Sequence, residues 1–270
     1  MRPATERGLR HGLWIVGLFT LALALAHVAR GEIGFDAHAY WAAAHHHHFY
    51  RASPESVDAY LYSPAFAEGI WPIAAGPWAF FCAVWLLLVA GIYLWLLAPL
   101  PLRWRIPALL ACTLDIVSGN VWSLFGLVLV AGFRFPGAWA FPALTKVTPV
   151  LGPVWFATRG EWRNVLICID AVVAFAAVSM IAAPHFWVSW LHFLEHAKPN
   201  GSIAAAFNPP TAALLAIELP IALAVTVWAA RTNRRWLLPV AMLFANPVLT
   251  SNALVILAAI PRIRAMDSPD

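Results

Sequence analysis

Long apolar runs, broken by short polar and arginine-bearing stretches, set the organisation of this chain. Leu13–Ala29, Pro77–Leu97, Asn164–Ala183 and Pro209–Ala230 are continuous apolar runs. Each has roughly 20 residues, the length a helix needs to cross the hydrocarbon core of a bilayer. The first follows Arg2, Arg7 and Arg10 and contains Ala24-Leu25-Ala26, a passable signal-cleavage site. The rest of the chain is equally apolar, so a retained anchor is the stronger expectation.

Three further runs carry polar residues at their centres. Ile106–Phe133 has Ser118-Gly119-Asn120, Gly137–Ala157 has Thr145-Lys146-Val147-Thr148-Pro149, and Trp236–Pro261 has Asn246-Pro247 and Thr250-Ser251-Asn252. With basic residues at both ends, each reads as a hairpin of two short helices. An arm of about 10 to 13 residues spans about 15 to 20 Å, short of a core of roughly 30 Å. The polar turns then belong inside protein or in a wet cavity, because irregular backbone cannot face lipid. A second arrangement makes Ile106–Phe133 and Gly137–Ala157 two successive full crossings, with only Arg134 changing side. The fold class expected is all-α: one polytopic transmembrane bundle over residues 1–270, with about 8–10 helical segments including broken or re-entrant ones.

Composition agrees with that pattern. Hydrophobic residues make up 62% and charged residues 11%, against about 25% charged in soluble domains. A mean hydropathy of +0.74 excludes a soluble globular domain and a disordered chain alike. The formal charge of +4 does not point to nucleic acid, because the basic residues sit between apolar runs. Of the 17 Lys and Arg, only Arg30, Arg51 and Lys198 fall on the opposite side from the rest, apart from Lys146 inside a run. By the positive-inside rule both termini face the cytoplasm of a plasma membrane. The segments from Arg30 to about Gly76 and from Pro184 to Asn208 then face outward. Both are longer than a simple connection requires, which makes them the expected place for function. Cys82, Cys112 and Cys168 lie in apolar runs, with no disulfide framework or metal spacing.

Several residues in these segments carry chemistry. Asp36 follows the first run; it reads either as a general base at the outer membrane edge or as an interfacial helix cap. His45–His48 read as an interfacial polar stretch rather than a metal site, because consecutive histidines point in different directions on a helix. Asp115 and Lys146 lie in apolar runs, where an ionisable group is a functional candidate by default. They pair with each other, or Lys146 meets a phosphate. His192, Asn208 and the aromatics Trp187, Trp190 and Phe193 give the second outer segment the donors and rings that suit a sugar, or an amphipathic interfacial helix.

Taken in order, Asp36 with Tyr40 and Ala42-Ala43-Ala44, Tyr60-Leu61-Tyr62-Ser63-Pro64, Gly119-Asn120, Lys146-Val147-Thr148-Pro149, Arg159-Gly160-Glu161-Trp162-Arg163 and Asn246-Pro247 resemble the motifs of glycosyltransferase family 87. This family belongs to the membrane-embedded GT-C class, whose best-known members here are polyprenol-phosphate-mannose-dependent α-mannosyltransferases of bacterial envelopes. The chain departs from the family pattern at Val121-Trp122, where a polar start is usual, and in its late turn. The resemblance implies a GT-C-like fold and transfer of a hexosyl unit, mannosyl by analogy, from a polyprenol-phosphate donor to a hydroxyl of a glycolipid or glycan acceptor outside the cytoplasm. It implies Asp36 as general base, and Lys146 with Arg51 on the donor phosphate. Tyr62, Asn120, His192 and Asn208 would orient sugar or acceptor. No metal and no other cofactor is expected, since the lipid phosphate is already an activated leaving group. A transporter or channel, built on the same broken helices, and a non-catalytic accessory subunit are the alternative classes.

Overall fold

The structure is a computed structural model, which describes residues 3–45, 50, 59–146, 150–196, 211–245 and 251–267. Every regular element among the described residues is helical. Among the described residues, three helices are long and apolar enough to cross a membrane: α1 (Pro3–Ala29), α4 (Trp78–Leu97) and α10 (Trp162–Ala182). Between α1 and α4 lie α2 (Phe35–His45) and α3 (Pro64–Ala74). The run from residue 102 onward breaks into α5 (Leu102–Ala111), α6 (Thr113–Ser118) and α7 (Trp122–Ala131). A 3₁₀ turn (Pro136–Trp139), α8 (Ala140–Thr145) and α9 (Gly152–Thr158) follow. After α10 come α11 (Pro184–His196), α12 (Thr211–Arg231), α13 (Leu238–Phe244), a 3₁₀ stretch (Ser251–Ala259) and α14 (Ile260–Asp267).

The aromatic face of α4 organises the centre. Phe81, Trp85, Val89, Tyr93 and Leu96 are buried there against neighbouring elements. By contrast α1 and α10 turn Ile15, Phe19, Leu25, Val173, Phe175 and Ile181 outward. An apolar helix surface of that extent suits lipid rather than water.

Contacts trace the path of the first broken run. Arg103 lies 3.4 Å from Glu6 at the start of α1. Higher up, the Thr20 hydroxyl donates to the Leu110 carbonyl at 2.8 Å. A Cβ at Gly17 would meet the Pro107 carbonyl at 2.7 Å, so glycine there lets the two helices touch. At the far end the Gly34 N–H donates to Val117 O at 2.8 Å. The α5–α6 arm therefore runs alongside α1 from end to end. Gly119 then reverses the chain in the left-handed region, at φ 71°. The α7 arm returns along α4: Gly119 abuts Trp85, and Gly126 abuts Leu96. With 10 residues, α7 is about 15 Å long, half a bilayer core.

Two more reversals follow. Gly152 at the start of α9 packs face-on against Trp139, and Trp155 returns to Phe133, with ring centroids 5.2 Å apart. The third run closes through Arg235 and Asp267, 3.6 Å apart. Both arms of each broken run thus come back to the same end of the molecule. The basic residues collect there, stacked on rings: Arg235 over Phe133, Arg262 over Trp95 and Arg264 over Trp236. The turn of the third run, including Asn246-Pro247, lies outside the described residues.

Candidate functional site

The opposite end holds the polar residues. Gly34, at φ 71°, is pinned to Val117 and starts α2 directly over the Ser118-Gly119-Asn120 turn. The approach is close: a Cβ on Gly119 would lie 2.7 Å from the Ala37 Cβ. The Gly119 carbonyl is held by the Trp85 indole N–H at 2.7 Å. This geometry sets Asp36, in the first turn of α2, beside Asn120. The Asn120 Nδ2 donates to Asp36 Oδ2 at 2.9 Å, while Asn120 Oδ1 accepts the Val121 N–H at 2.8 Å. The second bond fixes which way the amide faces and so aims its NH₂ at the carboxylate. Asp36 is not the residue that caps α2; it lies within the helix.

Lys146 ends α8 at the neighbouring turn. Its ammonium lies 4.1 Å from the centroid of the buried Trp122 ring, a cation–π contact. It also lies within electrostatic reach of Asp115 and Asp36. Asp115, on α6, is fully buried and accepts a 2.6 Å hydrogen bond from Tyr93 of α4. Its second oxygen, Oδ1, has no hydrogen-bond partner among the described residues.

The Tyr60–Ser63 segment closes the site from the side. Both the N–H and the hydroxyl of Ser63 donate to the Leu144 carbonyl, two residues before Lys146. The Tyr62 hydroxyl meets that of Tyr40 at 3.2 Å. Burial, more than the nearby carboxylates, pushes both phenols above their ordinary titration range, so they stay protonated donors. The Tyr62 carbonyl accepts from Tyr50 at 2.7 Å. An apolar groove of about 560 Å³ opens between α3, α4, α7, α8 and α10. Phe66, Ile73, Leu88, Leu124 and Phe141 line it, and it reaches Thr145, next to Lys146.

Asp36, Asn120, Tyr62 and Lys146 are therefore brought together. His192 is exposed on α11, which packs on α10 and α3, elements that carry none of these four. The anchors of α11 reach the same tyrosine segment from outside: Trp190 Nε1 donates to Leu61 O at 3.4 Å, and the Phe193 ring lies tilted against Tyr50, centroids 5.8 Å apart. Below them the Trp187 indole donates at 2.9 Å to Ser179, which in turn bonds Glu68 of α3. Arg51, Asn208 and His46–His48 lie outside the described residues; His45 bonds the Trp41 carbonyl.

Two participants escaped sequence reading. Tyr93 is the lone tyrosine in an otherwise apolar span, and that loneliness was the available signal. Trp122 looked like a departure from a polar motif, yet it forms the floor under the Lys146 ammonium. Compared with known proteins, the chain matches no family model, no curated protein and no solved structure.

Proposed function

We propose that the protein is a membrane hexosyltransferase. It takes a sugar from a polyprenol-phosphate donor and places it on an acceptor hydroxyl at the extracytoplasmic face. One juxtaposition carries the reading: a carboxylate, Asp36, lies within electrostatic reach of a lysine, Lys146, which follows Thr145 at the end of an apolar groove of about 560 Å³. A lipid phosphate needs a cation at its head and an apolar path for its tail, and both are adjacent here. The Ser118-Gly119-Asn120 turn lies in protein at the end opposite the Arg235, Arg262 and Arg264 cluster, and the positive-inside rule then favours a cytoplasmic arginine end.

The reaction runs as follows in this site. Asp36 accepts the proton of the acceptor hydroxyl as its oxygen attacks the anomeric carbon. The carbon–oxygen bond to the phosphate breaks with inversion, and both electrons leave with the polyprenyl phosphate. The Lys146 ammonium neutralises the charge that develops on that phosphate. Asn120 holds Asp36 in place, and the Tyr40–Tyr62 pair offers hydroxyls to the sugar.

Purified protein in lipid discs, given radiolabelled polyprenol-phosphate-mannose and a glycolipid acceptor fraction, should form labelled product. Lys146→Met should raise the donor KM at least about 10-fold, as loss of a charge-assisted contact implies. An unchanged donor KM in Lys146→Met would remove the phosphate role, and product formed without the protein would remove the activity.

A further inference from the structure

A second groove starts from the same polar centre, shares no described lining residue with the first, and has a carboxyl rather than an ammonium at its head. It has a volume of about 440 Å³ and lies between α1, α5–α6 and the 3₁₀ stretch Ser251–Ala259. Its walls are almost wholly apolar: Leu13, Phe19, Leu23, Leu97, Leu254 and Ala258 are among them. Among the described residues, its one acidic lining residue is Asp115. That carboxyl is fully buried, with Oδ2 bonded to Tyr93 and Oδ1 without a hydrogen-bond partner among the described residues. A buried acceptor left unmatched is costly, so a ligand that supplies a donor is favoured there.

The head group decides the class of ligand. The first groove ends beside an ammonium and suits a lipid phosphate. The second ends at a buried carboxyl, which offers a phosphate no cation and accepts a hydrogen bond from a hydroxyl. We propose that the second groove binds a long-chain alcohol, with its hydroxyl donating to Asp115 Oδ1 and its chain lying between α1 and the 3₁₀ stretch. This is a binding site in its own right and does not rest on the transferase reading. Seated there, the alcohol has its polar head next to Asp115 and its tail directed toward the basic end, where Leu13, Leu97 and Pro261 line the groove.

The test is equilibrium binding of tritiated farnesol to the purified full chain in lipid discs. Saturable binding is expected, displaced by unlabelled farnesol and not by farnesyl phosphate. Asp115→Leu should weaken it about 10-fold or more, the loss of one hydrogen bond to a buried carboxyl. Leu254→Trp, at an exposed lining position, blocks the groove without touching the core and should abolish binding. Ala138→Phe, in the other groove, should leave it intact. Absence of saturable binding, equal displacement by farnesyl phosphate, or loss in Ala138→Phe with retention in Leu254→Trp would each overturn the proposal. None of these outcomes depends on transfer activity, so failure here leaves the transferase reading standing.

Discussion

Asn120 shows how one side chain couples a turn to a helix. Its amide oxygen accepts the N–H of Val121, just before α7, while its NH₂ donates to Asp36. Asn120→Ala should lower turnover by about 10- to 100-fold, the value of a hydrogen bond to a charged group, with thermal stability little changed. Transfer kinetics beside a melting curve check both halves. Glu68 offers a pH-dependent case. Burial raises its carboxyl above the ordinary value, against a smaller opposing effect of the Ser179 hydroxyl bond. A raised folded value means the contribution is fully present below the unfolded value, about 4.3. It is lost as pH rises through the higher folded value. Glu68→Gln should therefore raise the melting temperature slightly at pH 7 and leave it unchanged at pH 4. A rise at pH 4 as well would assign the effect to packing. Asp36 and Lys146 were legible as residues because a charge beside or within an apolar run is conspicuous. Tyr93 and Trp122 were not, because an aromatic in a membrane span looks the same whether it fills space or holds a charge.

At the scale of elements, glycines decide where the chain can reverse. Gly119 has φ 71° and sits against Ala37, so Gly119→Ala meets both backbone strain and a steric clash. A loss of about 1–3 kcal/mol is expected, read as a lower midpoint in thermal unfolding. Gly152 opens the returning arm of the second run against Trp139; a Cβ there would fall 2.2 Å from the ring. Gly152→Val should be more damaging than Gly119→Ala, because the ring is buried and has nowhere to move. The position of the reversal at Ser118-Gly119-Asn120 was readable from polar residues in an apolar run. Whether Ile106–Phe133 and Gly137–Ala157 were hairpins or successive crossings was not, because a single arginine distinguishes the two arrangements. The fold resolves the path through contacts distant in sequence, such as Glu6 with Arg103 and Gly34 with Val117. No periodicity in the chain encodes those.

Across the whole molecule, arginines stacked on aromatic rings mark one end, and the carboxylate–lysine centre with its two grooves lies toward the other. Orientation follows as a prediction. In a cysteine-free background, a cysteine at Ser189 on α11 should react with a membrane-impermeant maleimide on intact cells. One at Arg134 should react only after the membrane is opened. The reverse pattern would place the centre on the cytoplasmic side and remove the lipid-phosphate chemistry proposed for the outer face. The central claim is that Asp36 takes a proton in the transfer step. Its most direct test is single-turnover transfer from radiolabelled polyprenol-phosphate-mannose by Asp36→Asn, with donor affinity measured on the same preparation. The account predicts donor binding within a few-fold of wild type and a transfer rate lower by at least about 100-fold, the usual range for general-base loss. Transfer by the variant at the wild-type rate would contradict it.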